Sequence, residues 1–232
     1  MSQGNKLTKW TKLSYDLGIN TPLYPDTPPI QITEHKSISK GDSSNSFMIT
    51  FSNHSGTHID APKHFWQKGK SINDYSINDL IFHHPMIADC PKKPTEVIGI
   101  DDLKVLPSDD TDILLIRTGI HAYRQKDPET YSYKNPCVSP KLALYLRENF
   151  PNLKAIGLDS ISVASRSNRS LGKETHQILL DETRFDGPPL LIIEDMDLSH
   201  DIKAIKELIV SPFFIDGVDS APVTVFGVLV ND

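Results

Sequence analysis

His54-Ser-Gly-Thr-His-Ile-Asp-Ala-Pro-Lys-His64 gathers three of the chain's nine histidines and an aspartate into one short stretch. Random placement would put about 0.4 histidines in a window of this size, so the clustering asks for a cause. The spacing supplies one. His58 and Asp60 are two apart, which in an extended segment puts both side chains on one face. His54 lies across a Ser-Gly-Thr turn from His58, so three ligands can converge. Imidazole nitrogens with one carboxylate oxygen suit Zn, Mn or Fe(II), and a site with three protein ligands leaves positions open for water and substrate. Gly56 permits a tight backbone path, and Pro62 stiffens the exit after Asp60.

The remaining composition narrows the possibilities. A chain of 232 residues, 38% hydrophobic, can bury one sizeable core, and no linker or repeat divides it, so residues 1–232 read as a single domain. A net charge of −6, with Lys and Arg spread along the chain, offers no electrostatic footprint for nucleic acid. The first residues lack the apolar stretch of a signal peptide, and no later run approaches membrane-spanning length, which predicts a cytoplasmic protein without membrane contact. Cys90 and Cys137 are too few and too isolated for a disulfide framework, and read as reduced structural thiols.

Pro22, Pro25, Pro28 and Pro29 rule out a helix near the start, so residues 1–45 are expected to form an extended arm. Residues 46–53 predict a strand that delivers His54 at its end. Pro85–Cys90, Asp112–Gly119, Leu153–Asp159 and Pro189–Glu194 read as further strands, each a short apolar run closed by polar residues. Ser139-Pro-Lys-Leu-Ala-Leu-Tyr-Leu-Arg-Glu-Asn-Phe has a serine N-cap, proline in the first turn and leucines at helical spacing. The helix-to-strand unit that follows belongs to mixed α/β folds. Glu174–Leu180 reads as a short helix carrying His176, and Glu194 ends an apolar strand.

Taken together, these residues resemble the metal-dependent cyclase-like hydrolase family, whose members include bacterial kynurenine formamidase and isatin hydrolase. The family pattern His-x-Gly-Thr-His-x-Asp-x-Pro-x-His is met from His54 to His64 without insertion. The order of other segments agrees: Asp16-Leu17, Arg117-Thr118-Gly119, Gly157–Ser162, the His176 helix, Glu194 and Gly217–Val223. The resemblance implies an α/β fold, a single β/β/α domain of the swivelling type with a mixed sheet and flanking helices, assembled as homodimers or homotetramers. It implies that His54, His58 and Asp60 hold a first metal, that Asp60, His176 and Glu194 hold or complete a second, and that His64 carries the proton. The cofactor is then one or two divalent ions, Zn or Mn. Where kynurenine formamidase has a tryptophan before Pro-Gly-Asp, this chain has Tyr24-Pro25-Asp26-Thr27, so Tyr24 is the expected substrate-binding ring. Arg166, Asn168 and Arg169 depart from the pattern beside it, and Thr224 stands where the family has an arginine. Glu194 resembles the formamidase more than isatin hydrolase, which has an amide side chain there.

The resemblance implies an arylformamidase-like hydrolase in which metal-activated water opens the C–N amide bond of a small aromatic formamide or lactam. Two other readings compete. A cyclase or dehydratase would use the metal to stabilise an enolate while His64 removes a carbon-bound proton. A non-catalytic metal-binding protein would need closed coordination and no proton carrier, and the presence of His64 speaks against it. Asp159 and Ser162 fit a pocket lining and a plain turn after a strand equally well. His83, His84, His121 and His200 read as structural or exposed.

Overall fold

Strands buried on both faces need no polar alternation, and the unbroken apolar runs of this chain become the middle of one sheet. The computed structural model describes residues 8–200, 202 and 205–230. Its strands are β1 (Thr8–Lys12), β2 (Gln31–Lys36), β3 (Ser46–Thr50), β4 (His58–Asp60), β5 (Ile81–Phe82), β6 (Pro85–Asp89), β7 (Val97–Ile98), β8 (Ile113–Arg117), β9 (Cys137–Val138), β10 (Ala155–Leu158), β11 (Leu191–Glu194), β12 (Ile205–Pro212) and β13 (Ser220–Val230). The large sheet runs β5-β12-β13-β4-β11-β10-β8-β6, with β1 also paired to β13. β6, β8, β10 and β11 are parallel, whereas β4 lies antiparallel to both β11 and β13. Three residues of β4 thus join the parallel half of the sheet to the antiparallel half. The remaining strands form two ribbons, β2 with β3 and β7 with β9. This is the mixed α/β architecture that the sequence led us to expect.

The side-chain period of two divides the core between the two faces of the sheet. Ile113 and Leu115 of β8, and Leu191 and Ile193 of β11, enter one apolar cluster together with Ile59, Leu208 and Val225. Leu114, Ile116 and Ile192 enter the other, with Leu142 and Leu146 of one helix and Leu179 of another. The helices are α1 (Tyr123–Lys126), α2 (Pro128–Tyr133), α3 (Pro140–Asn149) and α4 (Arg169–Leu179). The buried face of α4 carries Gly172, Thr175, His176 and Leu179, the stripe expected of 3.6-residue periodicity. Arg147 of α3 is buried and donates to the carbonyls of Leu179 and Asp181, tying α3 to the end of α4. Cys90 and Cys137 are buried free thiols, and burial pushes Cys90 up to about 11, which leaves it unreactive near neutral pH. Among the described residues no helix is long and apolar enough to cross a membrane.

Three expectations change. The strand foreseen at 46–53 ends at Thr50 and pairs with β2 outside the large sheet, so His54 is reached through a further turn. Of the arm foreseen at 1–45, residues 1–7 lie outside the described residues. Thr8–Lys12 is an edge strand on β13, and Gln31–Lys36 is half of the hairpin. The helix carrying His176 also starts earlier, at Arg169, and Gly172 in its first turns lets it press against Ala164, where a Cβ would collide.

Ser139 Oγ accepts from the Leu142 amide at 3.1 Å, and Pro140 fills the first helical position, as the sequence predicts. Ser139→Ala should therefore cost about 1 kcal/mol. In a chain of this size that lowers the thermal midpoint by about 2–4 °C, which calorimetry on the two proteins would detect.

Candidate metal centre

β4 sets the centre of the site. Its register places His58 opposite Glu194 on β11 and Asp60 opposite Ser220 on β13, while Ile59 points into the core. His58 Nε2 lies 3.6 Å from Asp60 Oδ1 and 3.4 Å from Glu194 Oε2. α4 brings His176 Nε2 to 3.9 Å from Asp60 Oδ2 and 3.7 Å from Glu194 Oε1. Across the Ser55-Gly56-Thr57 turn, His54 Nδ1 lies 3.1 Å from Asp60 Oδ1. Gly56 takes φ +65°, a left-handed conformation that glycine adopts without strain. Pro62 opens the 3₁₀ turn Pro62–His64, which carries His64 back to the same cluster.

The imidazoles are held by their outer nitrogens. His58 Nδ1 donates to the Gly56 carbonyl at 2.8 Å and His176 Nδ1 to the Gly172 carbonyl at 2.7 Å. A carbonyl only accepts, so each Nδ1 carries hydrogen and each Nε2 presents its lone pair to the carboxylates when the ring is neutral. Glu194 is held likewise: Oε1 accepts from Ser162 Oγ at 2.9 Å and from the Val163 amide at 2.7 Å. Both oxygens of Asp60 are buried and have no hydrogen-bond partner among the described residues, since the 3.1 Å approach of His54 lacks hydrogen-bond alignment. A buried carboxylate without donors is costly unless a cation neutralises it. His54, His58 and Asp60 offer ligand atoms within 4.8 Å of one another, as do Asp60, His64 and His176. This donor set of imidazoles and carboxylates fits a divalent metal.

The cluster floors a cavity of about 460 Å³. Tyr24, Phe65 and Ile161 give it an apolar wall, and the exposed Arg169 and Lys173 stand on its lining. Phe65 stacks on the His176 ring with centroids 4.6 Å apart. Asp26 holds the Tyr24 loop against the start of α4 through Arg166 and, at 3.5 Å, Arg169.

The family described as "Putative cyclase" matches residues 11–165. The chain belongs to this family. A kynurenine formamidase from Geobacillus thermodenitrificans is 30% identical over 220 residues, covering 94% of this chain and 96% of that one. Among solved structures, isatin hydrolase A from Labrenzia aggregata superposes with a TM-score of 0.77 at 17% identity, covering 97% of this chain and 94% of its own. A predicted metal-dependent hydrolase from Bacillus stearothermophilus gives 0.75 at 21%, with 96% and 98% covered. At these identities the structural matches speak for the fold alone.

The structure brings together His54, His58, Asp60, His64, His176 and Glu194, and it places Tyr24 on the cavity wall. Ser162 lines the cavity and positions Glu194. Asp159 instead is fully buried and accepts from the Thr118 and Gly119 amides, the Thr118 hydroxyl and His121 Nδ1, so it braces the turn after β8. Sequence reasoning gave no role to Asp219, whose Oδ2 meets His54 Nε2 at 3.0 Å and His64 Nδ1 at 2.8 Å. The available signal was its place in the Gly217–Val223 segment, which matched the family pattern.

Burial opposes a charge on His54, but Asp60 and Asp219 outweigh it and push its pKa up to about 10. His58 and His176 also shift upward against burial, because of Glu194 and Asp60. The metal-free site therefore binds protons that a cation must displace. Metal affinity should weaken as pH falls and strengthen as pH rises toward about 10, where His54 loses its proton unaided. Calorimetric titration of Zn at neutral pH, in two buffers of different ionisation enthalpy, should show net proton release. A heat independent of buffer would mean that the imidazoles are already neutral.

Proposed function

We propose that this protein is a metal-dependent hydrolase that opens the C–N amide bond of an aryl formamide or lactam. The observation that carries the reading is the buried Asp60 carboxylate, ringed by His54, His58, His176 and Glu194 at the floor of an aromatic-walled cavity. The formamidase relative, matched over nearly the full length of both chains, supports the amide as the bond attacked. In this reading His54, His58 and Asp60 hold a first ion, Zn or Mn, and Asp60, His176 and Glu194 complete a second position. When bound, the metal lowers the pKa of water to roughly 7 and polarises the carbonyl under attack. The opening of the cluster onto the cavity suits a substrate better than a closed structural site would.

The chain's own groups do the rest. Tyr24, Phe65 and Ile161 pack the flat ring of the substrate and exclude water from one side of the scissile bond. Burial pushes the Tyr24 phenol up, so its ring enters the wall as a neutral group. His64 takes the proton of the attacking water as the C–O bond forms and returns it to the leaving nitrogen as the C–N bond breaks. Ser162 and the Val163 amide keep Glu194 from turning into the cavity.

The first experiment is turnover of N-formylkynurenine by protein reloaded with Zn or Mn, against protein stripped by chelator. Metal-dependent product is expected; no turnover with metal demonstrably bound would reject the formamidase reading and direct attention to lactams and enolate chemistry. The roles separate by substitution. His64→Ala should keep metal content and lose on the order of a hundredfold or more in kcat, whereas His58→Ala should lose metal as well. Equal metal loss in both variants would make His64 a ligand and sink its assigned role.

A further inference from the structure

We infer that Asp219 is a positioning residue that fixes two imidazoles at once, turning His54 toward the metal and leaving His64 with a free Nε2 for proton transfer. The inference rests on the proposed role of His64 for its catalytic half, while its metal half stands on the site geometry alone.

Asp219 immediately precedes β13, and its backbone carbonyl accepts from the Ala61 amide at 2.9 Å, which ties it to the residue after Asp60. Its side chain is fully committed. Oδ1 accepts from Asn53 Nδ2 at 2.7 Å, and the same amide nitrogen reaches the Ser220 carbonyl at 3.3 Å. Oδ2 then receives both His54 Nε2 and His64 Nδ1. An ionised carboxylate has only lone pairs to offer, so both nitrogens must carry hydrogen. For His54 this leaves Nδ1, 3.1 Å from Asp60, as the nitrogen able to bind a cation. For His64 it leaves Nε2 as the lone pair of the neutral ring. The two rings lie 4.3 Å apart between centroids, so one carboxylate can serve both. His58 and His176 are fixed by neutral carbonyls two and four residues upstream, so His54 and His64 alone among the four share a charged anchor.

Replacing Asp219 by asparagine keeps its size but gives one oxygen acceptor and an NH₂ that cannot accept. The amide oxygen can face both imidazoles only with its NH₂ set against the Asn53 amide, donor to donor, and without the negative charge; turned the other way, the NH₂ faces two ring nitrogens that carry hydrogen. At least one of the two functions should suffer.

The test uses the full chain carrying Asp219→Asn, Asp219→Glu and His64→Ala, singly, with Asp219→Asn also combined with His64→Ala. Zn affinity is read by competition with a chromophoric chelator, and ring tautomers by long-range ¹H–¹⁵N correlation spectra of the Zn-saturated protein. Asp219→Asn should weaken Zn binding about 10–100-fold, and Asp219→Glu should recover part of the loss. His64→Ala should leave Zn affinity unchanged. At saturating metal Asp219→Asn should lower kcat on the order of a hundredfold with KM changed less than about threefold, and the double variant should be no slower than His64→Ala alone. Wild-type Zn affinity together with unchanged His54 and His64 tautomers in Asp219→Asn would overturn the inference. Both of those readouts need no substrate, so they decide the matter even where no aryl formamide is turned over. If Asp219→Asn fails to fold, Asn53→Ala takes its place. It removes the donor on Oδ1 and should weaken Zn binding in the same direction by a smaller factor, while an unchanged affinity would count against the anchor.

Discussion

An ionised carboxylate in the middle of a sheet, with neither oxygen hydrogen-bonded, is the constraint around which this molecule is organised. Moving such a group out of water unpaired costs far more than the few kcal/mol of net stability a domain has to spare. Asp60 is tolerable only with positive charge beside it. In the metal-free protein that charge comes from protonated imidazoles, which is why burial and the carboxylates pull the histidines in opposite directions and the carboxylates win. Asp60 is correspondingly held well below the usual carboxylate range, despite its burial, by His64, His54 and His58. Protons and a divalent cation are thus alternative solutions to one electrostatic problem. Both act on a β4 that is paired to β11 on one side and to β13 on the other.

The loop before β4 is equally committed. Thr57 Oγ1 donates to the Asp195 carbonyl and accepts from the Tyr15 amide, which ties the Gly-Thr turn to both the β11 end and the chain after β1. Asp195, with φ +52°, is in turn clamped by two bonds from Arg124 at 2.7 Å and one from the Tyr131 hydroxyl at 2.6 Å. A residue in that conformation needs such enclosure to persist. Its placement directly after Glu194 means that the turn out of β11 is determined by a buried ion pair, not by the strand. This rigid backing is what a preorganised ligand set requires, since each imidazole can be aimed only as well as its support is fixed.

What could be read in the sequence was what is local. The two-residue spacing of His58 and Asp60, the Gly56 turn and the Ser139 cap each need only a few consecutive residues and a known period. Asp219 meets His54 from 165 residues away, and Arg124 meets Asp195 across 71, so no pattern in either segment announces the pairing. The strand read at 46–53 is present but stops at Thr50. Ser-Phe-Met-Ile-Thr-Phe has consecutive apolar side chains, as a doubly buried strand would, yet Phe47, Met48 and Ile49 are exposed on a two-stranded ribbon with the polar β2. Apolar content identified the strand there and could not say which sheet it would join.

The division of labour between sheet and loops bears on how this site differs from its relatives. The candidate ligands sit on β4, β11, α4 and the turn before β4, where a change in any one disturbs a shared charge balance. The cavity wall is contributed partly by the proline-rich stretch around Tyr24, which has no regular structure and is held to the start of α4 by Asp26 with Arg166 and Arg169. Loops of this kind can change without cost to the core. Tyr24 packs beside Ile120, Tyr131 and Ile161, so its ring is supported from behind although the backbone carrying it is irregular. Of the departures read in the sequence, Tyr24 and Arg169 line the cavity, so they can alter its shape and charge while Asp60 and its imidazoles stay where the sheet puts them.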